Sequence, residues 1–544
     1  MHRFLLVSLS IETILGETTI RQRREKLNQM SSGQDVGDVY TATLERIRAQ
    51  GEGRARLGMD AIMWIAYSER PLSPDELSQA LGVAIGSTDL DNDNAPSIRT
   101  ILNCSLGLVT VDSSSSKVRL VHFTLQEHIL ANPTLFYNSH SRIAEVCLTY
   151  LNFGCIMELS PSLPSPPTPP FLEYASRYWG AHCRRETSPS GIQLAVKLLG
   201  RFHSHIFYTF LEEEIGRVMM RPRGPLHTMK FTALHAGAFL GILDIMVPLL
   251  KINKCDLNAT DEFGITAAVW AAHLGHHVIL KLLLDQEGID PHSTPHSRNE
   301  LLLCAAWSGE GRVVEMLLER NDINPDTTDE SGRTPLSWAA GPAYTEPCNE
   351  EGCGGAGTIL LEQNDVNPHS ADMSGKTTLS LVTENWREKI ILMELGGDFC
   401  SHGCSRGTGR KVRWASEGQH DETVRILLGR NDVNPDRADK RGRTPLSWAA
   451  EYQREESVRM LLERNDVNPH SPDKSGRTPL SWAAEYGREE CVRMLLERDD
   501  FNPNSADKSG RTPLSWAAEN GHHKIVARLS QWNNTHPDTG DQSG

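Results

Sequence analysis

The chain has 544 residues and a formal net charge of −15, from 55 Lys and Arg against 70 Asp and Glu. This length exceeds what one hydrophobic core normally supports, so several domains or a repeat array are expected. The acidic balance argues against a chain built mainly to bind nucleic acid, and the 39% hydrophobic content excludes wholesale disorder.

The amino terminus, Met1–Gly16, begins with a basic residue and a short apolar run, as a signal peptide does. Ser8 and Ser10 interrupt that run and no small-residue cleavage site follows, so the sequence argues against secretion. No stretch of about 18 apolar residues exists, which argues against a membrane span. The 11 scattered cysteines indicate a reducing compartment. We therefore expect a cytoplasmic protein, with the nucleus as the alternative.

Residues 51–135 follow the order helix, helix, helix, hairpin, helix. Ser73-Pro74 is a helix start with proline at the first helical position. Gly107–Val111 and Val118–Phe123 are rich in strand formers and flank a polar loop, which predicts a hairpin. This order predicts a winged-helix domain.

The next segment, residues 136–229, is predicted to be a helical linker region. Within it, residues 160–170 are rich in proline and should run extended over the surface. At the other end of the chain, residues 536–544 are predicted to form a flexible polar tail.

The carboxyl half is a repeat. The phrase GRTPLSWAA begins at Gly332, Gly442, Gly476 and Gly510, and the last step is 510 − 476 = 34 residues. Stepping through the sequence at this period gives about nine units over residues 230–535, and the pattern is degenerate at 341–414.

Each unit predicts a helical hairpin. In the unit that begins at Asp473, Gly476 suits a tight turn, Thr478 can cap a helix, and Pro479 suits the first helical turn. One such hairpin cannot bury its apolar face alone, but stacked neighbours can. The predicted fold class is mainly α: a solenoid of stacked hairpins preceded by a winged-helix domain and a helical linker region.

The repeat resembles the ankyrin repeat. The family pattern D-x-x-G-x-T-P-L-H-x-A-A is matched from Asp473 to Ala484, with Ser481 in place of the usual histidine. The resemblance covers more than half of the chain, and it implies an ankyrin α-solenoid that binds proteins in its concave groove.

The amino half resembles a second module. The stretches ERPLSPDELSQALGV, SIRTILNCSLGLVTVD and VRLVHFTLQEHI are similar to the winged-helix domain of inositol-deacylase-like proteins. That module follows the NACHT nucleotide-binding domain in fungal NACHT–ankyrin proteins. Residues 1–50 contain a helical remnant that resembles the end of a NACHT region. The resemblance implies a signalling or scaffolding protein whose nucleotide-binding core would lie upstream.

One column of the repeat predicts a contact surface. Trp448 lies about 200° around the inner helix from Leu446, away from the apolar face. Tryptophan is common among interface hot spots, so this column is a candidate for partner binding. The alternative, in which each ring packs on its neighbour and seals the groove, stays open. The groove candidates are Trp270, Trp338, Trp414, Trp448, Trp482 and Trp516, with His470, Lys474, Asn504 and Lys508 at the hairpin tips.

The predicted function is non-enzymatic protein recognition through the groove, in signalling, without a cofactor or metal. One alternative is a truncated part of a nucleotide-driven NACHT sensor. Another is a DNA-associated regulator that uses its winged helix, although Asp89, Asp91 and Asp93 would repel phosphate. A third is an enzyme with a hidden zinc site, whose candidate ligands are Cys348, Cys353, Cys400, His402 and Cys404.

Overall fold

The computed structural model divides the chain into two compact units, Met1–Asp256 and Leu257–Gly544. None of the helices in the described part of the chain is both long and apolar enough to span a bilayer. The structure describes residues 19–24, 36–159, 169–201, 205–218, 231–251, 256–261, 264–289, 300–340, 355–363, 365–384, 421–498 and 502–535. The predicted signal-like start, most of the proline-rich segment and the predicted tail lie outside these residues.

The first unit begins with the predicted winged helix. Its strands pair antiparallel, with Val109 opposite Leu120 and Asp112 opposite Lys117. The element order helix, helix, helix, hairpin, helix confirms the prediction. Helix α1 (Val36–Arg48) comes first, and the predicted order then consists of α2 (Glu52–Tyr67), α3 (Pro74–Gly82), α4 (Ile98–Cys104), β1 (Val109–Asp112), β2 (Lys117–Leu120) and α5 (Phe123–Ala131).

The start of α3 ties the hairpin to the helices. Ser73 caps α3 in a capping box, in which the Ser73 side chain accepts from the Glu76 amide and Glu76 accepts from the Ser73 amide. The same Glu76 carboxylate forms an ion pair with Arg70 and lies 3.7 Å from Lys117 Nζ on β2. The sequence signal for a helix start therefore also marks the point where helix and hairpin meet.

A helical region follows the winged helix. Helices α6 and α8 pack along their length, and between them lies an aromatic core that includes Tyr150, Phe171 and Tyr174. The helices are α6 (Ser139–Leu151), α7 (Gly154–Met157), α8 (Leu172–Arg185), α9 (Pro189–Leu199) and α10 (Phe207–Val218).

The first repeat hairpin, α11 (Ala233–Leu240) and α12 (Leu243–Leu250), belongs to this first unit. Gly180 of α8 leaves room for Leu240, since a Cβ at Gly180 would lie 2.9 Å from the Leu240 side chain. Arg184 donates to the Leu240 carbonyl at 3.2 Å. Because this hairpin packs on the helical region, the first compact unit extends to Asp256. The sequence analysis placed a domain boundary at 229/230.

The second unit is a stack of helical hairpins. Each inner helix contacts the inner helix of the next hairpin, as a solenoid requires. The inner helices are α13 (Ala267–His273), α15 (Glu300–Ser308), α17 (Pro335–Ala339), α19 (Thr378–Thr383), α21 (Pro445–Glu451), α23 (Pro479–Glu485) and α25 (Pro513–Glu519). The outer helices are α14 (His277–Leu284), α16 (Gly311–Leu318), α18 (Ala356–Glu362), α20 (421–429), α22 (Glu455–Glu463), α24 (Glu489–Leu496) and α26 (His523–Thr535).

The degenerate segment changes the repeat count. Helix α19 contacts α21 directly, and the Lys440 amide donates to the Ser374 carbonyl at 2.9 Å, as between other neighbouring turns. At the end of α20, Arg430 donates to the carbonyl of Leu361, which places α20 beside α18. Helices α19 and α20 are therefore the inner and outer helices of one hairpin.

The described residues form eight hairpins, one in the first unit and seven in the second, and the start of the unit expected at Gly409 lies outside them. Counting at a fixed period assigned separate units to Gly375 and Gly409, because each carries part of the pattern. Residues 341–354 and 385–420 lie outside the described part of the chain, and the candidate zinc ligands Cys348, Cys353, Cys400, His402 and Cys404 fall in these two gaps.

Candidate protein-binding groove

In six of the described hairpins the tip is a turn held by one aspartate. Asp473 Oδ1 accepts from the amides of Ser475 and Arg477 at 2.8 and 2.9 Å, and Gly476 adopts φ of +85°. The Lys474 amide donates to the Arg441 carbonyl of the preceding turn at 2.9 Å. Neighbouring turns are thereby linked by backbone hydrogen bonds, which fixes the register of the stack.

The turn leads into an inner helix in the predicted way. The Thr478 side chain accepts from the Ser481 amide, and Pro479 occupies the first helical position. Leu480, Ala483 and Ala484 are fully buried. The apolar face is therefore the one that the spacing of these residues predicts.

The tryptophan column divides into buried and accessible members. Trp270 and Trp448 are buried, with 1% and 4% of their surface exposed. Burial removes both from the predicted contact set, because their neighbours cover the rings. Trp338, Trp482 and Trp516 are half-buried and stay candidates, while Trp414 lies outside the described residues.

Three indoles are anchored to the turn of their own hairpin. The indole N–H groups of Trp270 and Trp338 donate at 2.9 Å to Asp261 and Asp329, and that of Trp516 donates to Asp507 at 3.2 Å. Burial alone would raise the pKa of Asp507, but hydrogen bonds from Ser509, from the Arg511 amide and from Trp516 lower it. The aspartate therefore stays charged and holds both the turn and the ring.

Arginine side chains separate the rings. Arg443 lies over Trp448 at 3.5 Å and over Trp482 of the next hairpin at 4.1 Å, measured from its guanidinium carbon to the ring centroids. Arg477 repeats this with Trp482 at 4.2 Å and Trp516 at 3.7 Å. Such cation–π contacts are stronger where the cation is desolvated. At the two ends, Lys376 Nζ lies 3.9 Å from the Trp448 centroid and Arg511 lies over Trp516 at 4.5 Å. We call this alternating series, from Lys376 to Arg511, the Trp–Arg row.

Each arginine of the row is paired with the glutamate at the end of the inner helix that follows it in its own hairpin. Arg443 pairs with Glu451, Arg477 with Glu485 at 2.9 Å, and Arg511 with Glu519 at 3.4 Å. The exposed fractions of the paired side chains rise along the stack, from 6% and 8% to 11% and 21%, and then to 44% and 50%. The charged side chains of the row are therefore buried in the middle of the array and exposed at its carboxyl end.

An open cavity of about 520 Å³ lies at that end. Its lining combines an aromatic ring with charges of both signs, supplied by Trp516, Arg477, Glu485, Asp507 and Lys508, and with the hydroxyls of Ser475 and Ser509. Among the predicted tip residues, Lys474 and Lys508 are exposed, whereas His470 and Asn504 are partly buried. The structure thus brings Trp516 and Lys508 together at one cavity.

Sequence reasoning missed the charged members of the row. Arg443, Arg477 and Arg511 stand five positions before the tryptophans, and the glutamates stand three positions after them. The signal was present, because RTPLSWAAE recurs without change in three hairpins. Only the stacked geometry shows that the arginine of one hairpin touches the tryptophan of the next.

Comparison with known families agrees with this geometry. A family model described as ankyrin repeats matches three stretches, residues 234–329, 408–471 and 464–541. The chain contains ankyrin repeats. Residues 44–144 match the model of the GPI inositol-deacylase winged helix domain, so the chain also carries a winged-helix domain of that type. A search of curated proteins gave no match.

Proposed function

We propose that this protein is a non-enzymatic interaction protein that binds protein partners at the carboxyl end of its ankyrin groove. The observation that carries the proposal is the rise in exposure along the Trp–Arg row, which ends beside the cavity at Trp516. Arginine and tryptophan are the residue types most enriched at interface hot spots.

The surface chemistry supports a partner that is both aromatic and charged. Tyr486, which stacks on Trp482 with centroids 6.3 Å apart, is 45% exposed and adds an aromatic face next to the row. Lys508 and Arg511 add positive charge, and Glu519 adds negative charge. A partner segment with an aromatic side chain and charges of both signs fits this surface.

The setting in which the partner acts is proposed to be cytoplasmic signalling. Support comes from the sequence resemblance of the amino half to the winged-helix module of NACHT–ankyrin proteins. Whether this chain acts alone or as part of a longer NACHT-type sensor is decided by a transcript that extends upstream to a phosphate-binding loop.

The test uses the full chain as a proximity-labelling bait and compares it with the Trp482→Ala/Trp516→Ala double variant. Each partner that the wild type labels is then titrated against the purified wild type and against the purified double variant. We expect the double variant to bind more than about 5-fold more weakly, since hot-spot truncations exceed about 1 kcal/mol.

The matched control is Arg459→Ala, an exposed substitution on the outer helix α22. It should leave the affinity unchanged. Thermal unfolding of each variant shows whether the array stays folded. Equal affinity of the wild type and a folded double variant would refute binding through the row.

A further inference from the structure

A cluster of three potential metal ligands lies in the first unit. Glu69 is in the segment between α2 and α3, His140 is in the first turn of α6, and His182 is in the last turn of α8. One ligand atom from each residue lies within 4.8 Å of the others. We call these residues the His–His–Glu cluster, and it joins the winged helix to the helical region.

The Tyr174 hydroxyl lies beside His182. The Tyr174 oxygen accepts from the Glu69 amide at 3.1 Å, and it lies 3.0 Å from His182 Nε2. In the tautomer in which His182 Nε2–H donates to this oxygen, the Nδ1 atom of His182 carries a lone pair.

In that tautomer, His182 presents the lone pair of its Nδ1 atom to His140. The two Nδ1 atoms are 2.8 Å apart, a separation that one shared hydrogen spans. Two imidazole ligands of one tetrahedral zinc ion, each about 2.0–2.1 Å from the metal, lie roughly 3.3 Å apart. If the two Nδ1 atoms moved apart by roughly half an ångström, a zinc ion could take the place of the shared hydrogen.

Glu69 completes the donor set. One of its oxygens is bound by Arg185 Nη1, while Oε2 is 3.4 Å from Arg185 Nη2 and so makes the weaker bond. Oε2 is the oxygen available to a metal. Glu186 holds a second carboxylate near His140, where it accepts from the Ser141 amide at 3.2 Å. Arg184 also interacts electrostatically with Glu69, so two carboxylates face two arginines around the cluster.

The support around the cluster is rigid. Tyr174 stacks on Phe171 and makes an edge contact with Trp64, with centroids 5.8 and 6.0 Å apart. A histidine ligand whose second nitrogen donates to a fixed oxygen is the usual outer-shell arrangement of zinc sites. His182 is buried and Glu69 is partly exposed, so an ion can enter from the Glu69 side.

We propose that Glu69, His140 and His182 bind a zinc ion through Oε2 and the two Nδ1 atoms, with water as the fourth ligand. Nitrogen and carboxylate donors in tetrahedral geometry are the set that zinc prefers. The ion would connect three separate segments of the first unit, so its binding should stabilise that unit.

The test starts from full-length protein stripped of metal by a chelator. Zinc chloride is titrated by calorimetry, and thermal unfolding is followed at rising zinc concentration. We expect one zinc ion per chain in this site and a rise in Tm of about 5 °C at roughly 100 times the dissociation constant. A wild type that shows no zinc-dependent rise in Tm would overturn the proposal.

Glu69→Gln and His140→Asn test the ligands, and each should weaken zinc binding at least about 10-fold. The controls are Cys155→Ser and His523→Ala, which remove an exposed thiol and an exposed imidazole that bind zinc weakly on many proteins. These controls should keep the full rise in Tm. A rise that survives in both ligand variants, or that disappears with Cys155→Ser, would also overturn the proposal.

The Co²⁺ complex gives a readout that does not depend on stability. With nitrogen and oxygen ligands only, its visible spectrum should show d–d bands and no thiolate charge-transfer band. A thiolate band would show that cysteine, rather than the His–His–Glu cluster, holds the ion.

Discussion

The central hairpin α21–α22 and the terminal hairpin α25–α26 share the phrase RTPLSWAAE but place it in different surroundings. In the centre, Arg443 lies between two tryptophans and forms a buried ion pair with Glu451. At the end, Arg511 and Glu519 are half-exposed, and within the described part of the chain Arg511 lies over the single ring of Trp516. In a stack, each inner hairpin has two neighbours and the last described hairpin has one. The same residues are therefore enclosed in the middle of the array and exposed to solvent at its end.

The largest difference should appear when the arginine is removed. Arg443→Ala leaves Glu451 buried without its cation and also removes the spacer between two rings, so we expect a loss of about 3–5 kcal/mol in the free energy of unfolding. Arg511→Ala removes an exposed pair and should cost at most about 1 kcal/mol. Chemical denaturation of both variants gives the two values.

A double substitution separates lost charge from lost packing. Arg443→Met with Glu451→Leu keeps apolar volume and leaves no buried charge, so it should recover most of the stability lost in Arg443→Ala. Equal stability of Arg443→Ala and Arg511→Ala would show that position in the stack does not matter, and the comparison of the two hairpins would fail.

The apolar face gives a smaller test of the same idea. Leu446 is fully buried between neighbouring hairpins, and its counterpart Leu514 is only partly buried. Leu446→Ala should cost about 2–5 kcal/mol because it opens a cavity. Leu514→Ala should cost less than half as much, since fewer atoms surround it. Thermal or urea unfolding measures both, and a larger loss at Leu514 would contradict the prediction.

The fold was largely predictable from the sequence because its signals are local. Asp473, Gly476 and Thr478 act within one turn, and each carries out the predicted role. The winged helix was predictable for the same reason, since Ser73 and Pro74 mark a helix start in any context.

What the sequence could not show depends on contacts between segments. Whether a tryptophan is covered, as Trp448 is, or half-exposed, as Trp516 is, follows from the neighbouring hairpin, while the local phrase is identical. His140 and His182 are 42 residues apart and belong to no ligand motif, so only the packing of α6 on α8 brings them together. The place of α20 beside α18 could not be read from the sequence, because it depends on a contact between Arg430 and Leu361, which are 69 residues apart.

The smallest predicted effect concerns how one hairpin buries a charge of the next. Glu310 precedes α16, and its carboxylate packs on Gly275 of the preceding hairpin, where a Cβ would lie 2.2 Å from Oε2. Burial raises the pKa of Glu310 from 4.5 to about 7. In the range between these two pKa values, the folded chain keeps a proton that the unfolded chain releases. The contribution of Glu310 to the free energy of unfolding therefore falls as the pH rises from about 4.5 to 7, and it is constant above that range.

Glu310→Gln removes this titration while keeping the side-chain shape. Because the group is partly screened by solvent, we expect the variant to be more stable than the wild type by about 1–2 kcal/mol at pH 8 and by almost nothing at pH 4.5. Urea unfolding at the two pH values measures the difference. His522 occupies the corresponding place on Gly487 at the end of the array, as a Cβ there would lie 2.7 Å from its ring. His522→Gln serves as the control and should show no gain at pH 8, because it removes no buried carboxylate. A Glu310→Gln gain that is equal at both pH values would mean that shape, not charge burial, sets the stability of this contact.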